Sequence, residues 1–437
     1  MDGEEFLFSL SRFGIKLGLG PTAEFARMLG NPHESFRSIH VAGSNGKGST
    51  ATFLYRIFKR KYVTGLYTSP HLRRFTERII VNDNEMPLDY LEKFVEQHNS
   101  IIDYNGEKTQ LTFFEYTTNM AFDYFRKMGV EFASVEVGLG GRLDSTNIIE
   151  PEASVITSIS LEHTDKLGGS IDAIAREKGG IIKKGKPVIL GRVPEVAGEV
   201  LHRIANERGS SVREVEDCKV SNLRLSLSGT EFSLDTEAGK YEVNLKALGE
   251  HQVANSVAAI LASESVSGAP AREDTLAGLS EAPIAGRFEI RRRKPLLILD
   301  GAHNSEASRI LSSNIARYGI KDPLIVLGVL KDKNSYNILQ NLSEVSNSVL
   351  ITEPNELERK KDSAELMKEA KLFFDEVKIR KRPSDALIEA IKSERNTVIT
   401  GSLYLIGEME NIIDAMEGQK SVPVESEGYD EKQGLIE

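Results

Sequence analysis

The stretch "IHVAGSNGKGSTATFLYRIF" at Ile39–Phe58 joins three patterns in one order: a β-branched run, a glycine-rich loop and a helical repeat. Within the loop, three glycines surround Lys47, and Ser49 follows at the start of the helical part. A backbone that wraps phosphate oxygens needs residues without a β-carbon, so that several amide N–H groups can point inward ahead of a helix N-terminus. The stretch therefore predicts a phosphate-binding loop of the P-loop type in an α/β fold.

The loop differs from the common nucleotide-binding pattern at two positions. Val41 stands where a glycine is usual, and Gly48 separates Lys47 from the hydroxyl residue. A strand–helix turn that contains a lysine by chance is the alternative, but the full order of strand, loop, lysine, hydroxyl and helix favours phosphate binding. A second glycine pattern, "GLGPTA" at Gly18–Ala23, formally fits a dinucleotide fingerprint. Since no long buried strand precedes it, we interpret it as a loop before a helix.

Strand-like and helix-like segments alternate through the first half of the chain. Besides the opening stretch, four apolar runs predict buried strands: "VTGLYTS" (63–69), "FASVEVG" (132–138), "ASVITSIS" (153–160) and "KPVILG" (186–191). Two longer segments have helical spacing, at 111–129 and at 170–185. Strands separated by helices imply crossover connections, so the first part is predicted to be a doubly wound, mostly parallel sheet that contains the P-loop.

The pattern changes twice in the second half. Residues 214–248 alternate polar and apolar positions and contain turn residues, which predicts a small antiparallel excursion. From residue 287 onward, a second alternating series predicts a smaller Rossmann-like α/β domain, with strands in "PLLILDG", "PLIVLGVL", "SVLITEP", "EVKIR" and "NTVITGS". Pro and Gly cluster between the two units. We therefore expect a first domain at 1–285, a second at 286–416, and a flexible acidic tail at 417–437.

Composition excludes several classes of partner. The 437 residues have a formal net charge of −10, which argues against nucleic acid because phosphate binding favours a basic face. No apolar run approaches the length of a membrane span, and the acidic N-terminus is unlike a secretory signal. Cys218 is the only cysteine, so neither an internal disulfide nor a cysteine-rich metal site is expected. These features predict a cytoplasmic enzyme for small molecules, expected to be a monomer.

Seven segments carry a family resemblance: "HVAGSNGKGST", "YTSPHLRRFTERI", "LTFFEYTT", "VEVGLGGRLDSTN", "EHTDKLGGSIDAIAREKGGIIKKGKPVI", "GRFEI…LILDGAHNSEA" and "TGSLYLIGEM". In this order and spacing they resemble the Mur ligase superfamily, and within it the folylpolyglutamate synthase/dihydrofolate synthase family. The resemblance runs from about residue 13 to residue 409, nearly the whole chain. It implies that the chain joins L-glutamate to a folate or dihydropteroate carboxylate, with ATP and Mg²⁺, through an acyl phosphate.

The resemblance also implies which residues contact ATP. Nine positions match: Asn45, Gly46, Lys47, Gly48, Ser49, Asn255, Arg287, Asp300 and His303. The Lys47 ammonium and the metal would neutralise the charge that develops on the transferred phosphate. Asp300 follows a predicted strand, where it could accept from ribose hydroxyls. From the residues alone, the "DGAHN" segment could equally be a polar strand end and Asn255 a helix-surface amide.

Metal ligands and a modified lysine follow from the same resemblance. It implies that Ser69, Glu136 and His163 bind Mg²⁺, and that Lys47, His163 and Lys178 are catalytic. A carboxylate at a strand's C-terminal end, like that of Glu136, is well placed for a hard cation. Without the resemblance, Ser69 could instead be a helix N-cap before a proline. The family's lysine at position 178 is carbamylated, although an unmodified lysine on a helix is the ordinary interpretation. The chain has Glu162 where the family usually has aspartate.

Two segments align with the pterin-binding segments of the family. They are "TFFE" and "LDS", with residues Thr112, Phe113, Phe114, Glu115, Leu143, Asp144 and Ser145. Both segments are partly apolar, so simple packing is the alternative.

Two other functions stay open from the sequence. Another Mur-type ligase could add an amino acid to a modified pterin or a cell-wall precursor with the same fold and ATP chemistry. A P-loop NTPase switch would use the glycine loop for hydrolysis, but it would leave "DGAHN", Glu136 and His163 without a role.

Overall fold

The structure is a computed structural model, and it describes residues 2–14, 16–99, 110–355 and 359–418, together with the backbone of 102–104 and 107–109. The predicted acidic tail lies outside the described residues from position 419 onward. The described residues form two α/β units, each with a mainly parallel sheet, which confirms the predicted fold class. None of the helices in these ranges has the length and apolar character that a membrane crossing requires.

The first sheet has eight strands in the spatial order β10-β9-β8-β1-β7-β2-β3-β4. The strands of the first 214 residues are β1 (Arg37–Ala42), β2 (Thr64–Tyr67), β3 (Ile79–Val81), β4 (Asn84–Glu85), β5 (Ile102–Tyr104), β6 (Glu107–Thr109), β7 (Phe132–Glu136), β8 (Ala153–Ser158), β9 (Val188–Arg192) and β10 (Val212–Glu214). Strand β1 lies at the centre and pairs in parallel with β7 and β8. Only β3 and β4 are antiparallel in this sheet, while β5 and β6 form a separate hairpin.

Helices cover both faces of the first sheet. They are α1 (Gly3–Ser9), α2 (Gly20–Met28), α3 (Lys47–Phe58), α4 (Leu88–His98), α5 (Phe113–Lys127), α6 (Thr164–Leu167), α7 (Ile171–Gly179), α8 (Glu195–Glu207), α9 (His251–Glu264) and α10 (Arg272–Leu279). The fully buried side chains of α3 pack with those of α9 in one apolar cluster, and α5 packs in a second cluster on the other face. Helix α7 ends six residues before the predicted end at 185.

The predicted antiparallel excursion is present, and it is a sheet of three strands. It consists of β11 (Lys219–Ser226), β12 (Gly229–Thr236) and β13 (Gly239–Leu245). Its apolar face is buried in the same cluster as α3 and α9. Cys218 immediately precedes this sheet, half-buried and far along the chain from the glycine loop.

The second α/β unit has a six-stranded sheet in the order β14-β15-β19-β16-β17-β18. Its strands are β14 (Glu289–Arg293), β15 (Leu296–Leu299), β16 (Leu324–Leu327), β17 (Ser348–Ile351), β18 (Glu376–Ile379) and β19 (Thr397–Thr400). Its helices are α11 (Ser305–Arg317), α12 (Ser335–Ser343), α13 (Ser363–Ala370), α14 (Pro383–Lys392) and α15 (Leu403–Met416). All pairings are parallel except that of β14, which the sequence did not predict. The domain boundary at 285/286 stays a prediction.

The carboxyl ends of the two sheets face each other. Strand β1 ends at the glycine loop, β7 ends at Glu136, and β15 is followed by Asp300. Two hydrogen bonds join the units there: Asn45 Nδ2 donates to Glu306 Oε2 at 2.6 Å, and Asn304 Nδ2 donates to Asn45 Oδ1 at 3.0 Å. In parallel sheets, ligands bind beyond the carboxyl ends of the strands, so this crevice is the candidate site.

Candidate functional site

The glycine loop is built so that β-carbons are excluded from it. Gly46 is the N-cap of α3 with φ of 85°, and a Cβ there would lie 2.4 Å from Asn255 Oδ1. At Gly43, with φ of 153°, a Cβ would lie 1.9 Å from Thr157 Oγ1. Both the backbone angles and the contacts therefore require glycine. The loop amides and the N-terminus of α3 open on a cavity of about 210 Å³.

Two lysine amines converge on one carbonyl beneath the loop. Lys47 Nζ donates to Gly43 O at 2.9 Å, and the buried Lys178 Nζ donates to the same oxygen at 2.8 Å. Lys178 also donates to Glu162 Oε1 at 2.9 Å. Burial lowers the pKa of Lys178 to about 8, with Glu162 opposing the shift. Burial also works against the charge of Glu162, but the lysines outweigh it and lower the pKa of Glu162 to about 2.

This setting suits an ammonium group on Lys178. Both of its neighbours are hydrogen-bond acceptors, and one of them is the Glu162 carboxylate. A carbamate on Lys178 would bring a second negative group against that carboxylate, which like-charge repulsion disfavours. These contacts describe the unmodified lysine, and the carbamylated form that the resemblance implied stays a prediction.

The three expected metal ligands lie in the wall of the same cavity. Glu136 is buried, and its Oε2 accepts from the Ser69 backbone N–H at 3.0 Å. Burial raises the pKa of Glu136, although Lys47 opposes the shift, so a nearby cation would favour the ionised carboxylate. The backbone of His163 is left-handed, with φ of 46°, and burial lowers its pKa, which keeps its imidazole neutral.

These donors fit a magnesium ion that is shared with phosphate. In the described ranges, no three His, Cys, Asp or Glu side chains form a complete protein cage for a metal. Magnesium typically takes one or two carboxylates and completes its shell with water and substrate phosphates. One buried carboxylate beside a phosphate-binding loop matches that preference.

The second unit contributes the opposite wall of this cavity. Arg287, Asp300 and His303, three of the residues that the resemblance implies contact ATP, all line it. The two carboxylate oxygens of Asp300 accept from the backbone N–H groups of Phe288, at 2.8 Å, and Ala302, at 2.9 Å. Burial raises the pKa of Asp300, opposed chiefly by Arg287. Burial lowers the pKa of His303 to about 4, and its Nδ1–H donates to Gly301 O at 2.8 Å, which leaves Nε2 as an acceptor.

Asn255 has a different position from the other expected ATP contacts. It lies under the loop and does not line the cavity, since its side chain packs against Gly46 and its Nδ2 donates to Gln252 Oε1 at 3.0 Å. Gln252, which the sequence reasoning missed, is fully buried, and its Nε2 donates to Ser49 Oγ at 3.3 Å. Both amides therefore support the loop from α9.

A second cavity of about 350 Å³ adjoins the first. Its wall includes five of the seven residues expected to contact a pterin: Thr112, Phe114, Leu143, Asp144 and Ser145. The structure does not place Phe113 or Glu115 in this wall. Thr112 and Glu115 form a capping box at the start of α5, with the Glu115 carboxylate accepting from the Thr112 N–H at 2.7 Å. That role turns Glu115 away from the cavity.

Arg78 is a charged wall residue that the sequence reasoning did not single out. It is 7% exposed, its Nε donates to His71 Nδ1 at 2.8 Å, and it lies over the rings of Phe75 and Phe113 at 5.9 and 5.2 Å. Within the described part of the chain, no carboxylate forms an ion pair with it. Burial lowers the pKa of Arg78. A buried guanidinium without a carboxylate partner is costly, which points to an anionic ligand.

A buried hydrogen-bond relay supports Asp144 from behind. The Thr146 hydroxyl group donates to Asp144 Oδ1, and His40 Nε2 lies 2.8 Å from the same hydroxyl oxygen. Because Thr146 uses its proton on Asp144, His40 must donate through Nε2–H. Burial lowers the pKa of His40 to about 3, so the ring is neutral. On the other oxygen, Asp144 accepts from Leu139 N at 2.8 Å. Asp144 is therefore held rigidly at the cavity wall.

Comparisons with known proteins agree with this geometry. The Mur ligase middle domain family matches residues 41–263, and the family described as dihydrofolate synthetase, C-terminal domain, matches residues 287–412. The dihydrofolate synthase/folylpolyglutamate synthase of Bacillus subtilis is 33% identical over 428 residues, which cover 93% of this chain and 97% of that protein. The folylpolyglutamate synthase of Lacticaseibacillus casei is 31% identical and covers 86% and 90%. The chain belongs to the dihydrofolate synthase/folylpolyglutamate synthase family.

Solved structures of this family have the same fold. The Mycobacterium tuberculosis folylpolyglutamate synthase complexed with ADP superposes with a TM-score of 0.85 at 30% identity, covering 94% of this chain and 99% of that one. The Escherichia coli enzyme FolC in complex with DHPP and ADP gives a TM-score of 0.84 at 28% identity, covering 95% and 99%. The resemblance that the seven sequence segments carried is confirmed, and with it the assignment of the chain to the Mur-type ligases.

Proposed function

We propose that the chain joins the amino group of L-glutamate to the free carboxyl group of a dihydropteroate or folate, with ATP converted to ADP and phosphate. The observation that carries this proposal is the shared wall of the two cavities. Ser69, His163, His303 and Leu403 are among the residues that line both. A carboxylate that reaches the end of the larger, more apolar cavity therefore meets the terminal phosphate of a nucleotide bound in the smaller one.

The first step transfers a phosphoryl group. A carboxylate oxygen of the pteroyl substrate attacks the γ-phosphorus of ATP, the bond to the bridging oxygen breaks, and ADP leaves with its electron pair. Lys47 and the amides of the glycine loop hold the terminal phosphates. Arg78 binds the substrate carboxylate from the cavity wall. Ser69, Glu136 and His163 would hold Mg²⁺, which neutralises phosphate charge when bound.

The second step forms the amide bond. The free amine of glutamate attacks the carbonyl carbon of the acyl phosphate, and inorganic phosphate leaves. The amine attacks in its unprotonated form, and the N–H proton that it loses on becoming an amide leaves with the inorganic phosphate. The neutral Nε2 of His303 in the shared wall is placed to accept a hydrogen bond from the attacking amine. Exclusion of water from the crevice during the reaction would protect the acyl phosphate from hydrolysis. Lys178 and Glu162 stay below the loop as a charge pair that sets the position of Gly43.

Product analysis tests the proposal directly. Purified protein is incubated with ATP, Mg²⁺ and L-glutamate, with either dihydropteroate or tetrahydrofolate, and the products are identified by mass spectrometry. We expect a mass gain of one or more glutamyl residues, ADP release that requires both the pteroyl compound and glutamate, and loss of both in Lys47→Ala. ADP release without glutamate would instead support a P-loop NTPase. The two acceptors distinguish dihydrofolate synthase from folylpolyglutamate synthase activity.

A further inference from the structure

The loop that carries Ser69 reaches from the glycine loop to the second α/β unit. This 69–74 loop follows β2 and leads into a short 3₁₀ helix, Phe75–Arg78. At its first residue, the Ser69 N–H donates to Glu136 Oε2 at 3.0 Å. One end of the loop is thus bonded to a candidate metal ligand of the first sheet.

The other end of the 69–74 loop is seated in the second unit. Leu72 packs against the apolar cluster formed by β15, β16, β17, β19, α14 and α15. The approach is so close that a Cβ at Gly407, in the second turn of α15, would lie 1.7 Å from Leu72 O. At Gly286 a Cβ would lie 3.3 Å from both methyl groups of Leu72. This half-buried side chain belongs to the first unit by sequence but packs against the core of the second.

An ion pair fixes the same contact. Arg73 Nη1 lies 2.6 Å from Asp414 Oδ2 on α15, and the other oxygen of Asp414 pairs with Arg291. Both partners of the first pair are largely shielded from water, with 18% and 10% of their side chains exposed. A shielded, hydrogen-bonded pair is worth more than an exposed one.

The loop between these two ends is internally braced. Glu77 accepts from three consecutive backbone N–H groups, those of Leu72, Arg73 and Arg74, at 2.9 to 3.1 Å. Arg78 Nε also donates to His71 Nδ1 at 2.8 Å, so residues 71–74 are all tied to the 3₁₀ helix and only Pro70 separates them from Ser69. A displacement at Leu72 is therefore expected to reach Ser69. The same helix α15 begins at Leu403, which lines both cavities.

We propose that α15 positions the 69–74 loop, with Leu72 and Arg73 as positioning residues that hold Ser69 against Glu136. Docking of the second unit thereby completes the magnesium–phosphate side of the site, although neither positioning residue lines the cavity of the glycine loop. The inference rests on the proposed function for its catalytic meaning, but the contacts that carry it do not depend on that function.

The test compares two neighbouring arginines. Arg73→Gln removes the pair with Asp414 of the second unit, whereas Arg74→Gln removes a pair with Glu85 of the first unit, at 2.5 Å. Hydrogen exchange of the nucleotide-free protein reports on the loop itself, and calorimetric ATP titration with and without Mg²⁺ reports on the site. For Arg73→Gln we expect faster exchange at residues 69–74 and a loss of Mg²⁺-dependent ATP affinity of about fivefold or more. Arg74→Gln should change the Mg²⁺-dependent affinity less than twofold, and Arg73→Lys should restore most of it.

Two results would overturn the inference. Equal effects of Arg73→Gln and Arg74→Gln would show that any ion pair of this loop serves equally, without a role for α15. Faster loop exchange without a change in Mg²⁺-dependent affinity would show that the anchor does not position Ser69. If both readouts shift as expected but the protein forms no glutamyl product, the inference stands and the proposed function fails.

Discussion

Replacing Arg78 by methionine should weaken binding of the pteroyl substrate and leave the free energy of unfolding nearly unchanged. Methionine keeps the length and apolar stem of the side chain but removes the guanidinium. Arg78 is buried, and in the described part of the chain its one hydrogen-bonding side-chain partner is His71. If its purpose is to bind a substrate carboxylate, the loss should appear in the Michaelis constant of the pteroyl substrate more than in the free energy of unfolding.

The contacts of Arg78 set the expected size of both effects, on the free energy of unfolding and on KM. A buried, unpaired charge destabilises the folded chain by several kcal/mol, which the substitution would relieve. It would also lose a hydrogen bond to His71 worth about 1.5–3 kcal/mol and two cation–π contacts worth roughly 0.5–2 kcal/mol each. Because these terms oppose each other, unfolding free energy should change by less than about 2 kcal/mol. Loss of a charge-assisted contact to a carboxylate, about 1.5–3 kcal/mol, should raise KM roughly 10- to 150-fold.

Arg56 provides a matched control in the same unit. It is also a mostly buried arginine, but its guanidinium donates to Ala282 O at 2.6 Å and Pro283 O at 3.0 Å, and it lies 3.7 Å from Glu281. Arg56→Met should therefore lower the free energy of unfolding by about 3 kcal/mol and leave KM for the pteroyl substrate within twofold.

Urea unfolding and steady-state kinetics, with dihydropteroate or tetrahydrofolate varied at saturating ATP and glutamate, measure both quantities. The reasoning is refuted if Arg78→Met loses more than about 3 kcal/mol of stability while KM stays within twofold. Arg78 would then be a structural residue, and the larger cavity would need another carboxylate-binding group.

Three further substitutions test other parts of the site and fold. Thr146→Val breaks the relay from His40 to Asp144 and should raise KM for the pteroyl substrate about tenfold, whereas Thr146→Ser keeps the hydroxyl and should stay near the parent value; equal kinetics for both would exclude the relay. Gly46→Ala forces a Cβ to 2.4 Å from Asn255 Oδ1 at a φ of 85°, so calorimetry should show at least tenfold weaker ATP binding with an unchanged circular dichroism spectrum; unchanged affinity would show that the loop can relax. Burial, reinforced by Glu289, raises the pKa of Glu410 to about 8 from 4.5. The folded chain thus keeps a proton that the unfolded chain releases above about pH 4.5, and this stabilising contribution is lost as pH rises through 8. Unfolding free energy should fall more between pH 5 and pH 9 in the parent than in Glu410→Gln, and parallel curves would contradict the assignment.

The elements predicted from sequence were those with strong local signals. The opening stretch predicted a strand that leads directly into the glycine loop, and β1 does so, because its β-branched residues run up to that loop. Strand β14 was missed because its sequence, "EIRRR", is mostly charged and it lies at the sheet edge, where pairing with β15 determines its conformation. Helix α7 stops early at two consecutive glycines, Gly179 and Gly180, which have low helix propensity. A Cβ at Gly180 would lie 2.3 Å from Arg142 Cβ, so tertiary packing requires glycine there.

For the site, the sequence predicted that functional residues such as Glu136 and Asp300 follow strand ends. It could not determine which charged side chains would be buried. Arg78 and Gln252 acquire their roles from tertiary packing that brings distant segments together, and no local pattern reveals that. Glu115 is different, because Thr112 and Glu115 fit the capping-box spacing of a helix start. That local signal could have removed Glu115 from the expected pterin contacts.

Gly407 has a consequence for anyone who wishes to make this enzyme more robust. Glycine inside a helix destabilises it by about 1 kcal/mol relative to alanine, so a propensity-guided screen would choose this position early. The carbonyl of Leu72 occupies the volume that a methyl group would need. Gly407→Ala would therefore force α15 and the 69–74 loop apart, and with them the two α/β units. Stabilising substitutions are better sought at exposed helix positions away from this contact.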